Sequence, residues 1–152
     1  MSTFTLFHVL ISLVGILSGL VVVYGFVVGK KFRLMNAIFL VMTIATSVTG
    51  FFFPFHGITP GIVVGVLSVF ILALAVLALN KGWTKTYIIT CSAAEFFNVL
   101  VLIAQSFQKI PALHVYAPTG KEPIMAICQG AALLVFVVLA VIAIRKKAFV
   151  LV

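Results

Sequence analysis

Apolar residues run along this chain in long unbroken blocks, neither alternating nor confined to one helical face. Five blocks reach the roughly 20 residues needed to cross hydrocarbon: Phe4–Gly29, Leu34–Phe53, Gly61–Leu79, Thr86–Phe107 and Ile124–Ile144. Hydrocarbon offers the backbone no hydrogen-bond partner, so each block must close its own bonds as an α-helix. Transmembrane β-strands alternate apolar and polar residues, and continuous blocks argue against a barrel. The pattern predicts an all-α, polytopic bundle of five transmembrane helices forming one integral-membrane domain over residues 1–152. The connections are short, so neighbouring helices should form antiparallel hairpins.

Composition agrees. Hydrophobic residues make up 64% of the chain and charged residues 8%, too apolar for a water-soluble domain of this size to hide. The net charge of +8 would suggest nucleic acid in a soluble protein. Here no nucleic-acid-binding motif accompanies it, and the cations sit between apolar blocks as topology signals. Lys30, Lys31 and Arg33 fall in the first connection, Lys81 and Lys85 in the third, and Arg145, Lys146 and Lys147 after the last block. Only Lys109 and Lys121 fall on the other side. Five spans with this bias place the N-terminus outside and the C-terminus in the cytoplasm. The first block has no basic residue ahead of it and Lys30-Lys31 behind it. That is the reverse of a cleavable signal, so the block is expected to be a mature span.

The stretch from Thr86 to Gly130 concentrates the chemistry. It holds both acids (Glu95, Glu122), both cysteines (Cys91, Cys128) and the longest polar connection. Glu95 lies nine residues from Thr86, about 13 Å along a helix and so near mid-membrane. No Lys or Arg lies within any block to neutralise it, and desolvation favours a neutral, hydrogen-bonding acid. Such a group suits proton coupling or ion binding; it also suits a purely structural interhelical clip. Ser92, Glu95, Asn98, Leu102, Gln105 and Lys109 follow spacings of three and four, forming one stripe of the fourth helix. His8, Ser12, Gly15 and Gly19 form another on the first. The second helix adds Thr43, Thr46, Ser47, Thr49 and Gly50, and the fifth adds Gln129. By depth, His8, Thr49, Gln105 and Gln129 fall in the outer third, above largely apolar inner halves. The polar groups predict a pocket open to the outside and closed below, not a continuous pore. A transporter would additionally need Asn36, Thr43 and Ser92 to extend the polar route inward.

Glu95, Asn98, Gln105, His8 and Gln129 are the expected ligand or proton pocket, with Lys109, His114, Glu122 and His56 at its mouth. The histidines and Glu122 admit a haem or metal site at the outer face, but no two histidines have helical ligand spacing. Scattered interfacial histidines explain them more simply, so no metal ligand is assigned. The cysteines lack a C-x-x-C spacing and read as buried thiols. With no Asp, no G-x-S-x-G and no phosphate loop, catalysis lacks support. Lys109–Pro123 is long and contains three prolines, fitting either a lid over the pocket or a surface crossover. Glu122-Pro123 fits a helix start. Gly15/Gly19, Gly25/Gly29 and Gly61/Gly65 permit close helix approach, within one subunit or between subunits. Trp83 and Tyr87 are expected in an interfacial aromatic belt.

Val48-Thr-Gly-Phe-Phe-Phe-Pro-Phe55, Asn98 through Gln105 to Lys109-Ile-Pro-Ala-Leu113, Ala117-Pro-Thr119 and Glu122-Pro123 resemble a family of small bacterial five-helix inner-membrane proteins with no assigned activity. The resemblance implies a bacterial inner-membrane location and transfers no catalytic residue. Asn98, Gln105 and Lys109 match its pattern better than Glu95 does. Together these features point to a non-enzymatic protein, with the lipid bilayer as one partner and a homo-oligomer or larger membrane complex as another. It would bind a small or amphipathic ligand of unknown identity in the outward pocket, as a free-standing protein or an accessory subunit. Proton-coupled transport of a small solute through Glu95 is the alternative, and an outer-face haem or metal protein the third.

Overall fold

The computed structural model describes residues 2–54, 60–147 and 149–151. The described residues form helices α1 (Thr3–Val28), α2 (Arg33–Gly50), α3 (Pro60–Lys81), α4 (Thr84–Lys109), the four-residue α5 (Pro111–His114) and α6 (Pro123–Lys146), with no strand among them. All except α5 are long and apolar enough to cross a membrane, and the chain is a multi-pass helical membrane protein. Leu17, Phe70 and Leu134 are among many large apolar side chains left exposed on the bundle surface, as a lipid solvent requires.

The helix boundaries have local causes. Ser2 caps α1 by accepting a hydrogen bond from the Thr5 amide at 3.1 Å. Gly29 ends it in the left-handed region (φ 74°), a conformation a Cβ would strain. Helix α2 stops at Gly50, three residues short of the expected Phe53. Amides of Phe51 and Phe52 turn back to Val48 and Thr49 carbonyls at 3.2 and 3.1 Å, because Pro54 disfavours helical geometry in the residue before it. Pro111 and Pro123 open α5 and α6, where a missing N–H costs nothing.

Helix α1 packs on α2, α4 and α6; α3 bridges α2 and α4; α4 packs on α6. The long helices thus close a ring in the order α1, α2, α3, α4, α6, with α1 and α4 also meeting across its middle. Gly15 faces Thr43, Gly19 faces Phe39 and Gly25 faces Phe32, so α1 and α2 are antiparallel. Gly15 and Gly19 serve intramolecular packing, which lets α1 approach α2 and α4 closely. The main core gathers Phe26, Phe39, Leu72, Tyr87, Ile88 and Cys91 with neighbouring small residues.

The end of the bundle carrying Lys30, Lys31 and Arg33 is closed by the chain's own tail. Phe149 is buried edge-on against Phe26 with ring centroids 4.7 Å apart, and the Leu151 amide donates to Thr84 Oγ1 at 3.3 Å. The tail brings Arg145–Lys147 to the same end. Tyr87, expected in an aromatic belt, is fully buried instead; its hydroxyl donates to Asn36 Oδ1 and its ring meets Phe26. Trp83 alone of the pair is exposed.

Candidate functional site

Glu95 lies eleven residues into the 26-residue α4, about 17 Å along a helix of about 39 Å. Its side chain is completely buried. It lies on Gly19 of α1: a Cβ built there would overlap the carboxyl group and meet the Phe39 ring at 2.8 Å. Asn98, one turn further along α4, donates from Nδ2 to Glu95 Oε2 and is equally near Thr43 Oγ1 of α2, both at 3.2 Å. Three helices therefore meet at one carboxyl group. Glu95 Oε1, Ser92 Oγ and Thr46 Oγ1 are buried without a hydrogen-bond partner among the described residues. Ser92 precedes Glu95 by one turn, so this face of α4 carries two buried oxygens without a partner among the described residues. No salt bridge reaches Glu95 from any described residue, and no cation lies in the helical segment around it. Burial without a counter-charge favours the uncharged acid.

A second polar pair lies higher. His8 Nδ1 and Thr49 Oγ1 are 2.8 Å apart, linking α1 to α2. The His8 ring meets Phe53 edge-on at 4.9 Å. Thr49 also donates back to the Ala45 carbonyl at 2.7 Å, so it accepts from His8, with the imidazole proton on Nδ1. His8 and Gly19 are eleven residues apart on α1, about 16 Å, which separates this pair from Glu95.

The five residues expected to line one pocket are not brought together. Glu95 and Asn98 share a node, and His8 belongs to the separate pair. Gln105 is exposed, Gln129 is half-buried, and neither makes a hydrogen bond among the described residues. At the expected mouth, Lys109 is exposed at the end of α4 and His114 Nδ1 approaches the Phe107 carbonyl at 3.3 Å. Glu122 instead organises the turn before α6. It accepts from the Thr119 amide and hydroxyl at 2.9 and 2.8 Å and from the Lys121 amide at 3.0 Å. These donors hold its carboxyl below the ordinary carboxylate range. His56 lies outside the described residues. Among those described, no three of His, Cys, Asp and Glu gather where a metal ion could be held.

The structure adds partners that periodicity could not supply. Thr43 joins the Glu95 node, and Asn36 of α2 pairs with Tyr87 of α4. Polar side-chain bonds thus join α2 to α4 at the Asn36 end and at mid-membrane, and α2 to α1, through Thr49, at the other end. Phe39 is completely buried between the first two levels. Two cavities lie elsewhere. One, about 270 Å³, opens beside the α1–α2 turn, Tyr87 and the C-terminal tail. The other is an apolar groove of about 480 Å³ between α1, α4 and α6. None of the expected pocket residues lines either cavity. No family model, no curated protein and no solved structure matches the chain.

Proposed function

We propose that this chain is a non-enzymatic protein of the bacterial inner membrane that exchanges a proton at Glu95 in step with the binding or passage of a small solute. The carrying observation is the completely buried Glu95 carboxyl, with Asn98 on one oxygen, the other unpartnered, and no cation to balance it. In the neutral acid, Oε2 accepts from Asn98 as the carbonyl oxygen and Oε1, which has no partner among the described residues, carries the proton. Losing that proton places a charge against Gly19 and Phe39, which favours any movement of α1 that admits water or a solute. Thr43 and the Asn36–Tyr87 pair extend polar groups toward the cation-rich end, as a transport route requires. Eight of ten cations at that end support a cytoplasmic C-terminus and an outer N-terminus. The sequence resemblance described above supports the inner membrane.

Binding of a small ligand in an outward-facing pocket, with or without a partner complex, draws its support from the His8–Thr49 pair alone, since Gln105 and Gln129 stand apart from it. The test is the infrared spectrum of the purified protein between acidic and alkaline buffer. A carboxyl C=O band that vanishes on alkalinisation and is missing in Glu95→Gln, but kept in Glu122→Gln, is the expected result. A Glu95 band that persists unchanged at every pH the protein tolerates would make the residue a structural clip and remove the proton-exchange reading.

A further inference from the structure

The cavity beside the α1–α2 turn has a different chemistry from the Glu95 node. Lys30, Lys31 and Arg33 line its rim together with Asn36. The chain has only two acidic side chains, Glu95 and Glu122. Glu95 is buried at mid-bundle, and Glu122 is bonded within the turn before α6 at the opposite end. Three cations therefore converge with no carboxylate side chain to answer them, and no salt bridge engages them among the described residues.

Backbone and amide donors add to the charge. Helix α2 begins at Arg33 without a side-chain cap, so its first N–H groups and the positive end of its dipole face this rim. Asn36 receives the Tyr87 hydroxyl on Oδ1, which orients the amide and leaves Nδ2 as a donor with no partner among the described residues. The turn is held in place by close packing. Gly25 accepts the Lys30 amide at 2.9 Å, and a Cβ on Gly25 would come within 2.6 Å of the Lys30 carbonyl oxygen.

The floor is apolar: Val22, Phe26, Leu79, Phe149 and Leu151. A cationic rim above an apolar floor, at the end of helices of membrane-spanning length, matches an anion attached to hydrocarbon at headgroup depth. We propose that this cavity binds the phosphate of an anionic phospholipid headgroup. Lys30, Lys31, Arg33 and Asn36 contact its oxygens, and the floor takes the glycerol and first acyl carbons. The C-terminal tail forms one wall. This assignment is independent of Glu95.

The test is lipid binding to the detergent-purified full chain, read by native mass spectrometry. It compares phosphatidylglycerol with phosphatidylcholine of the same acyl chains, with and without added inorganic phosphate. Phosphatidylglycerol is expected to bind at least about tenfold more tightly. Each cation is worth roughly fivefold, so Lys30→Gln, Lys31→Gln and Arg33→Gln together should cost about a hundredfold. The matched triple Lys81→Gln, Lys85→Gln and Lys147→Gln removes equal charge from the same end outside the cavity and should change affinity less than about threefold. Graded losses in the three single variants decide the matter if the triple does not fold. Equal losses in both triples, or no preference for the anionic lipid, would overturn the site. Phosphate that binds alone and displaces the lipid fully at equal concentration would overturn the lipid assignment in favour of a soluble phosphate.

Discussion

Gly19 and Glu95 show how one position without a side chain decides what another can be. A carboxyl group enters the α1–α4 contact only because Gly19 leaves room for it. Gly19→Ala should therefore act as overpacking: the added methyl meets the carboxyl and the Phe39 ring, both completely buried and unable to swing into solvent. Its expected cost is about 1–3 kcal/mol, read as a fall in the thermal unfolding midpoint in detergent. Gly130 is the internal contrast. It also lies within a long helix, but a Cβ there would meet nothing within 4 Å. Gly130→Ala should be neutral or stabilising by up to about 1 kcal/mol, through backbone entropy alone. Equal destabilisation by both variants would mean that general helix-packing sensitivity, and not the seating of Glu95, sets the effect.

At the scale of the element, periodicity on one helix predicted a face but not the neighbour that covers it. The five spans were legible because uninterrupted hydrocarbon has only one secondary structure available to it in lipid. Glu95 and Asn98 were legible as a stripe of α4, and Thr43 as a polar position of α2. Their convergence on Gly19 was not, because the order of helices around the ring is set by packing between distant segments. The same limit explains Gln105. Asn36 pairs with Tyr87 and Thr43 with Asn98, so α2 and α4 run parallel and Gln105 stands about level with Gly50. There α2 ends, so the polar stripe continues where its partner stops. Glu122 illustrates the opposite case, an element governed by its own neighbourhood. Its carboxylate gathers donors from Thr119 and Lys121 immediately before α6, and those donors lower its pKa from the ordinary 4.5. A depressed folded-state value means that the ionised turn contributes its stability above pH 4.5 and loses it as the pH falls through the lower folded value. Hydrogen exchange at residues 119–125, corrected for intrinsic rate, should therefore accelerate on acidification below that point. Glu122→Gln should exchange faster at neutral pH and respond little to acid. Retained acid sensitivity in that variant would place the titrating group elsewhere.

At the scale of the whole molecule, charge is segregated by the fold as well as by the sequence. Antiparallel α1 and α2, the α3–α4 connection and the folded-back tail bring Lys30–Arg33, Lys81, Lys85 and Arg145–Lys147 to one end. Lys109 and Lys121 remain at the other. Translocating the first group would move eight cations across the hydrocarbon against the bias that orients membrane helices, whereas translocating the second moves two. The proposed sidedness follows, and it also carries the lipid cavity to the leaflet with the more negative surface potential. Lys31 and Lys121 are both exposed, so either can report position as a cysteine in a background of Cys91→Ala and Cys128→Ala. A membrane-impermeant maleimide applied to intact cells should label Lys121→Cys and spare Lys31→Cys until the cells are opened. Labelling of Lys31→Cys from outside would invert the protein in the membrane. The cation-rich cavity would then face the outer leaflet, and the Asn36–Tyr87 pair would become the outer approach to Glu95.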